Sequence, residues 1–161
     1  MPVKVKTLKP PQGLSRFFFR LPIGLYRMGL GGWLGTRAVL LSHTGRKSGK
    51  ERQVVLEVVR YDKKTGVCVI AAGFGRDSDW FQNITKEPHI GFTVGSKHRK
   101  GTAVRLDENK AGRELVRYEK EHPKAWKELT RFMGYELDGS KDDTRALGKL
   151  MPMFTLKPDK D

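Results

Sequence analysis

Thr44-Gly45-Arg46-Lys47-Ser48-Gly49-Lys50 is the stretch on which the reading of this chain turns. Ahead of it runs Arg37-Ala38-Val39-Leu40-Leu41-Ser42-His43, apolar and rich in strand formers. Behind it comes Gln53-Val54-Val55-Leu56-Glu57-Val58-Val59-Arg60-Tyr61, strand-like in its β-branched content and partial alternation. A short loop between two strands thus carries three cations, two hydroxyls and two glycines. Glycine allows backbone conformations that aim consecutive N–H groups at one point, and such nests bind anions. Arg46 adds a planar fork that matches carboxylate or phosphate, while Lys47 and Lys50 add point charges. Two readings stand side by side: a site for a multiply charged anion, and a solvated basic hairpin turn. A Walker loop needs a glycine further upstream and a helix opening behind Gly-Lys-Ser/Thr. Here a strand follows, so a nucleotide-triphosphate loop is set aside.

Working outward, Asp62-Lys63-Lys64-Thr65-Gly66 reads as a hairpin turn into a third strand, Val67-Cys68-Val69-Ile70-Ala71-Ala72. That strand runs into Gly73-Phe74-Gly75-Arg76-Asp77, after which Ser78 or Asp79 can cap a short helix, Trp80-Phe81-Gln82-Asn83-Ile84. Small residues at a strand end let a flat ring come close to the backbone, and a helix start offers N–H donors. Strands are expected from His89 to Val94 and from Lys100 to Leu106, joined by basic Gly95-Ser96-Lys97-His98-Arg99. Asp107 caps a helix with Ala111, Leu115 and Tyr118 on one face, and a second helix is expected from Trp126 to Met133. Residues 136–144 are polar, and Met153-Phe154-Thr155-Leu156 closes the chain as a strand. Five or six short strands with helices inserted or at the ends indicate a mainly β fold with added helices, a small β-barrel.

Toward the N-terminus, residues 1–12 are basic and end in Pro10-Pro11, a flexible arm ahead of a single domain at 13–161. Residues 14–30 are helical in flavour, with Phe18, Leu21, Leu25 and Met28 at helix spacing and Arg16, Arg20 and Arg27 among them. This N-terminal helix either packs across the barrel, or rests on an anionic membrane surface or covers an apolar pocket. The chain of 161 residues carries a formal net charge of +14, which calls for an anionic partner: a polyanionic cofactor, an anionic membrane or nucleic acid. Cys68 is the only cysteine, which excludes an internal disulfide framework and fits a reducing compartment. No stretch approaches the length of a spanning helix and no secretory signal is evident, so the expected location is the cytoplasm. His43, His89, His98 and His122 show no ligand spacing, so no metal site is expected. No nucleophile–histidine–carboxylate arrangement stands out either, and no catalytic residue is assigned. Asp142-Asp143 reads as a solvated loop, and the cations at 97, 99, 100, 105, 110 and 113 as a solvated face.

Three motifs taken together resemble a known family. Leu40 to Arg52, then Ile70-Ala71-Ala72-Gly73, then Asp79-Trp80-Phe81-Gln82-Asn83-Ile84 with Pro88 follow the order and spacing of the deazaflavin-dependent nitroreductases. The likeness covers residues 20–106 well, and Pro152-Met153-Phe154-Thr155-Leu156 is similar to the family's last strand. It implies a split β-barrel of the FMN-binding-like type, with an N-terminal helix and C-terminal helices, that binds coenzyme F420 in place of FMN. By this resemblance Thr44, Arg46, Lys47, Ser48 and Gly49 hold the cofactor's phosphate and polyglutamate tail. Ala71, Ala72 and Gly73 line the deazaflavin ring, and Trp80 and Asn83 close the site. One departure is Ala72-Gly73-Phe74-Gly75, where the family often has Ser-Lys-Gly-Gly; Phe74 is then the residue expected near the ring and Arg76 the replacement charge. Tyr118 and Tyr135 are the candidates for the family's substrate-side tyrosines.

The implied reaction is hydride transfer from reduced F420 to a small-molecule acceptor: a quinone, a nitro compound or an activated alkene. A second reading is an FMN- or haem-binding protein on the same barrel. A third, a basic nucleic-acid-binding module, is disfavoured because Phe17 to Phe19 and their neighbours follow helix spacing and form no strand platform. A homodimer and a peripheral membrane contact are carried as further expectations.

Overall fold

Alternation of apolar side chains builds the first hairpin. Val39, Leu41 and His43 turn to one side of β2 (Ala38–Thr44) and are buried, while Ser42 and Thr44 are half-buried on the other. β2 pairs antiparallel with β3 (Glu51–Tyr61) from Ala38↔Glu57 to Thr44↔Glu51, so the 45–50 loop closes the hairpin. The computed structural model describes residues 3–4, 35–72, 78–133, 135–136 and 140–160. The expected helix at 14–30, most of the basic arm, and Gly73, Phe74 and Arg76 lie outside the described residues. Of the arm, β1 (Val3–Lys4) pairs antiparallel with β7 (Tyr135–Glu136).

Six strands close into an antiparallel barrel in the order β2-β3-β4-β8-β6-β5, with β4 at Cys68–Ala71, β5 at His89–Val94, β6 at Lys97–Arg105 and β8 at Met153–Pro158. Inside it pack Val39, Leu41, Val58, Cys68, Ile70, Phe92 and Leu156, all buried. Burial pushes the Cys68 thiol up to about 12, so it stays protonated as a small apolar filler. α1 (Asp79–Lys86) plugs one end of the barrel with Trp80, Phe81 and Ile84. Trp80, Phe81 and Phe154 meet there edge to face, with ring centroids 5.4–6.4 Å apart.

β3 joins β4 only from Val58 onward, across a bulge between Val58 and Arg60. The first half of β3 therefore pairs with β2 on one edge and with no strand among the described residues on the other. This opening splits the barrel beside the ends of β2 and β4.

A helical layer covers the outer side of β4 and β8. It consists of α2 (Glu108–Glu121), α3 (Pro123–Met133) and α4 (Lys141–Leu150), and it buries Ala111, Leu115, Tyr118, Trp126, Leu147 and Met151 against Val69 and Met153. Met153 to Leu156 are consequently buried on both faces, which is why that stretch reads as continuously apolar. α4 was not expected. Its Ser140 side chain accepts from the Asp143 N–H and starts the helix, so Asp142-Asp143 forms a first helical turn and not a loop. α2 and α4 approach so closely that a Cβ on Gly148 would stand 2.5 Å from the Gly112 nitrogen. β6 begins at Lys97, three residues earlier than expected, because Gly95 at φ +61° makes a tight turn with Ser96 and charge hides the alternation beyond it.

Candidate functional site

The loop after β2 is held largely by its own backbone. Gly45 N–H donates to the Lys50 carbonyl and Gly49 N–H to the Gly45 carbonyl, each at 2.8 Å. Lys50 N–H donates to Ser48 Oγ at 3.2 Å, which leaves the serine hydroxyl proton to donate elsewhere. Gly49 sits at φ +71°, a conformation that costs a residue with a Cβ roughly 1–2 kcal/mol. The expected nest is therefore small: of the loop amides, those of Lys47 and Ser48 have no such bond among the described residues. Around them Lys47, Ser48, Lys50 and Arg52 are exposed.

Arg46 behaves differently from the other cations. Its N–H and Nη1 both donate to Asn83 Oδ1, at 3.0 and 2.9 Å, and Nη2 reaches Asp79 Oδ1 at 3.3 Å. Its carbonyl accepts from Lys86 Nζ at 2.9 Å. The fork read from sequence as an open anion clamp is thus partly spent on docking the loop to α1. Asn83 in turn meets His43 Nδ1 through Nδ2 at 3.0 Å, and both residues are buried. Burial pushes the His43 imidazole down to about 4; Asp79 pulls it upward and Arg52 pushes it further down, and the ring is neutral at pH 7.

Register places the rest at the same barrel end. The end of β2, the start of β3 and the end of β4 converge there with α1. Thr44 is half-buried opposite Glu51, and Ala71 is half-buried against the helical layer. Ala72 is buried, and its N–H donates to the Pro152 carbonyl at 2.8 Å. Trp80 is 8% exposed and packs in the plug. Arg105, read as part of a solvated face, lays its guanidinium 5.1 Å above Phe81 and 5.7 Å from the Phe154 centroid, at the mouth of the barrel. Arg99 likewise is not simply solvated: its Nη1 donates to the Tyr61 hydroxyl at 2.8 Å.

Tyr118 lies in the helical layer with its hydroxyl donating to Glu57; burial first, then that bond, raises its pKa well above the ordinary phenol. Sequence reasoning missed Asp79 and Lys86 as partners of the loop, His43 as the partner of Asn83, and Arg105 as a cation over the plug rings. Alternation along β2 could have flagged His43 as inward-facing; nothing in the sequence pairs it with Asn83, 40 residues on. Among the described residues no group of three His, Cys, Asp or Glu is placed to hold a metal ion.

A split antiparallel barrel with helical additions and a basic loop at its plugged end is the fold class of this chain, one that FMN-binding-type split barrels share. Residues 26–131 match the F420H(2)-dependent quinone reductase family, and the chain belongs to that family. It is an F420-dependent oxidoreductase. Among solved structures it is similar to an F420-H2 dependent reductase, FDR-A, at 25% identity over 77% of this chain and 96% of that one, with a TM-score of 0.53. A pyridoxamine 5'-phosphate oxidase-related, FMN-binding protein from Nostoc punctiforme shares the fold at 11% identity, over 94% and 82% of the two chains, with a TM-score of 0.51. A protein of unknown function from Agrobacterium tumefaciens does so at 14% identity, over 96% and 59%, with a TM-score of 0.54. No curated protein matches the chain.

Proposed function

We infer that the chain passes a hydride from reduced F420 to a quinone, with nitro compounds and activated alkenes as acceptors of the same electronic kind. The observation that carries this is the pairing of the family match with an exposed cation cluster at the split end of the barrel. The residues present fit the cofactor. F420 has a phosphate and a polyglutamate tail, and Lys47, Lys50 and Arg52 offer exposed positive charge beside the Lys47 and Ser48 amides and the Ser48 hydroxyl. In this reading those groups hold the phosphate and tail, Arg46 and Asn83 hold the loop that presents them, and Thr44 and Gly49 shape it. The small side chains of Ala71 and Ala72 let the ring approach the end of β4.

When bound, F420 supplies the hydride chemistry. The chain's part is to bind, orient and dehydrate. Trp80, Phe81 and Phe154 form an apolar floor that keeps water from the plugged end, and the fixed loop restricts the reactants to one geometry. The guanidinium of Arg105 lies over that floor, 5.1 Å from the Phe81 centroid.

The test is binding of oxidised F420 against FMN by tryptophan fluorescence, followed by F420H2 oxidation with a quinone, a nitroarene and an activated alkene. Tight F420 binding that Lys47→Ala/Lys50→Ala loses, with fastest turnover on the quinone, is the expected result. FMN binding in its place moves the chain to the flavin-binding reading, and a preference for the nitroarene moves the acceptor class.

A further inference from the structure

Asn83 Oδ1 accepts from two groups of one residue, the N–H and Nη1 of Arg46. Both are donors only, so the amide oxygen must face them and Nδ2 must face the other way, toward His43 Nδ1 at 3.0 Å. An amide NH2 donates and does not accept. His43 Nδ1 is therefore the acceptor, and the ring's proton sits on Nε2. Turning the amide over would set donor against donor at Arg46 and acceptor against acceptor at His43. The arrangement is a relay: a strand residue orients a helix residue, and the helix residue holds a loop arginine by backbone and side chain together. Asp79 and Arg52 are the charged groups that act on the ring, and burial keeps it neutral so that Nδ1 stays open to accept.

We propose that His43 is a positioning residue of the anion site: by accepting from Asn83 Nδ2 it fixes the amide that sets the pose of Arg46 and of the 45–50 loop. This rests on the cofactor reading above, since the pose of the loop matters to binding only if the anion sits there. His43 itself touches no ligand in this scheme; it acts through Asn83.

The test measures F420 affinity by tryptophan fluorescence in the wild type, His43→Phe, His43→Asn, Arg46→Ala and the His43→Phe/Arg46→Ala pair, with thermal unfolding of each. Phenylalanine keeps the ring and removes the acceptor; asparagine returns an acceptor close to the position of Nδ1. His43→Phe is expected to bind about tenfold more weakly. His43→Asn recovers most of that loss, and the pair is no weaker than Arg46→Ala alone. At saturating F420 the His43→Phe variant keeps its kcat within about twofold while the KM for F420 carries the change. Wild-type affinity in His43→Phe, equal loss in His43→Asn, or additive losses in the pair overturns the proposal. If His43→Phe does not fold, nitrogen-15 NMR of the imidazole in the free wild-type protein decides. A protonated Nε2 with a bare Nδ1 supports the relay, and a protonated Nδ1 overturns it. A wild type that binds no F420 overturns the cofactor reading and the ligand role with it, while the tautomer reports separately whether the relay exists.

Discussion

An arginine anchors each end of β3, and the two anchors work differently. Arg60, at the far end, donates through Nε and Nη2 to both oxygens of Glu114 on α2, at 2.9–3.1 Å. Arg46, in the loop before the strand, rests mainly on the neutral amide oxygen of Asn83 and touches one oxygen of Asp79, whose side chain is 79% exposed. A carboxylate cancels the guanidinium it holds. A neutral amide holds the guanidinium and leaves its charge standing. The Arg60 end is thus a fastener for the helical layer, and the Arg46 end is a fastener that keeps its field for an anion.

The strongest way to test that contrast is to loosen one end and watch the other. Leu147→Ala, at a fully buried position in the helical layer, should cost about 2–5 kcal/mol of stability by denaturant titration. Among molecules still folded, F420 affinity should stay near the wild-type value, because the cavity lies behind the Arg60 fastener; a large loss of affinity would show the two ends to be one unit.

Next in size is a pH effect at the loop end. The folded His43 pKa of about 4 lies below its ordinary 6.5, so the unfolded chain takes up the proton first as pH falls. The stability contribution is complete above pH 6.5 and is lost on the way down to pH 4, by about 3 kcal/mol in all. Stability curves of the wild type and His43→Phe should therefore converge or cross over that window, and parallel curves would place the titration elsewhere. Smaller still, Arg60→Met or Glu114→Gln should cost about 1 kcal/mol, because both side chains are partly open to solvent, and should leave F420 affinity alone. Smallest in stability is Lys47→Ala, within about 0.5 kcal/mol of wild type, yet it should weaken F420 binding about tenfold and flatten its dependence on salt.

How much of this was legible in the sequence follows from where the signals were local. β2, β3 and their loop could be read because alternation and glycine punctuation act over a few residues; α1 does start after Ser78, although the Ser78 side chain makes no capping hydrogen bond. α4 could not, because Lys141 to Leu150 has few apolar residues and packs through Gly148, where the backbone itself is the contact surface. The cation cluster at 45–52 was visible as charge. Its division of labour was not: that Arg46 turns inward while Lys47 and Lys50 face out depends on Asn83 and Asp79, brought in by the fold from more than thirty residues away. Tyr118 shows the same limit from the other side, since a tyrosine at helix spacing carries no mark of whether its hydroxyl will meet a ligand or Glu57.

The thiol sealed inside the barrel has a practical corollary. Cys68 is the only cysteine in the chain, fully buried and held protonated, so maleimides and other thiol reagents should leave the native protein untouched. A single cysteine introduced at an exposed position such as Lys63 would then be the sole reactive thiol. No background substitution would be needed before attaching a fluorophore or spin label, and distances to the tryptophans could be followed as the anion loop fills and empties.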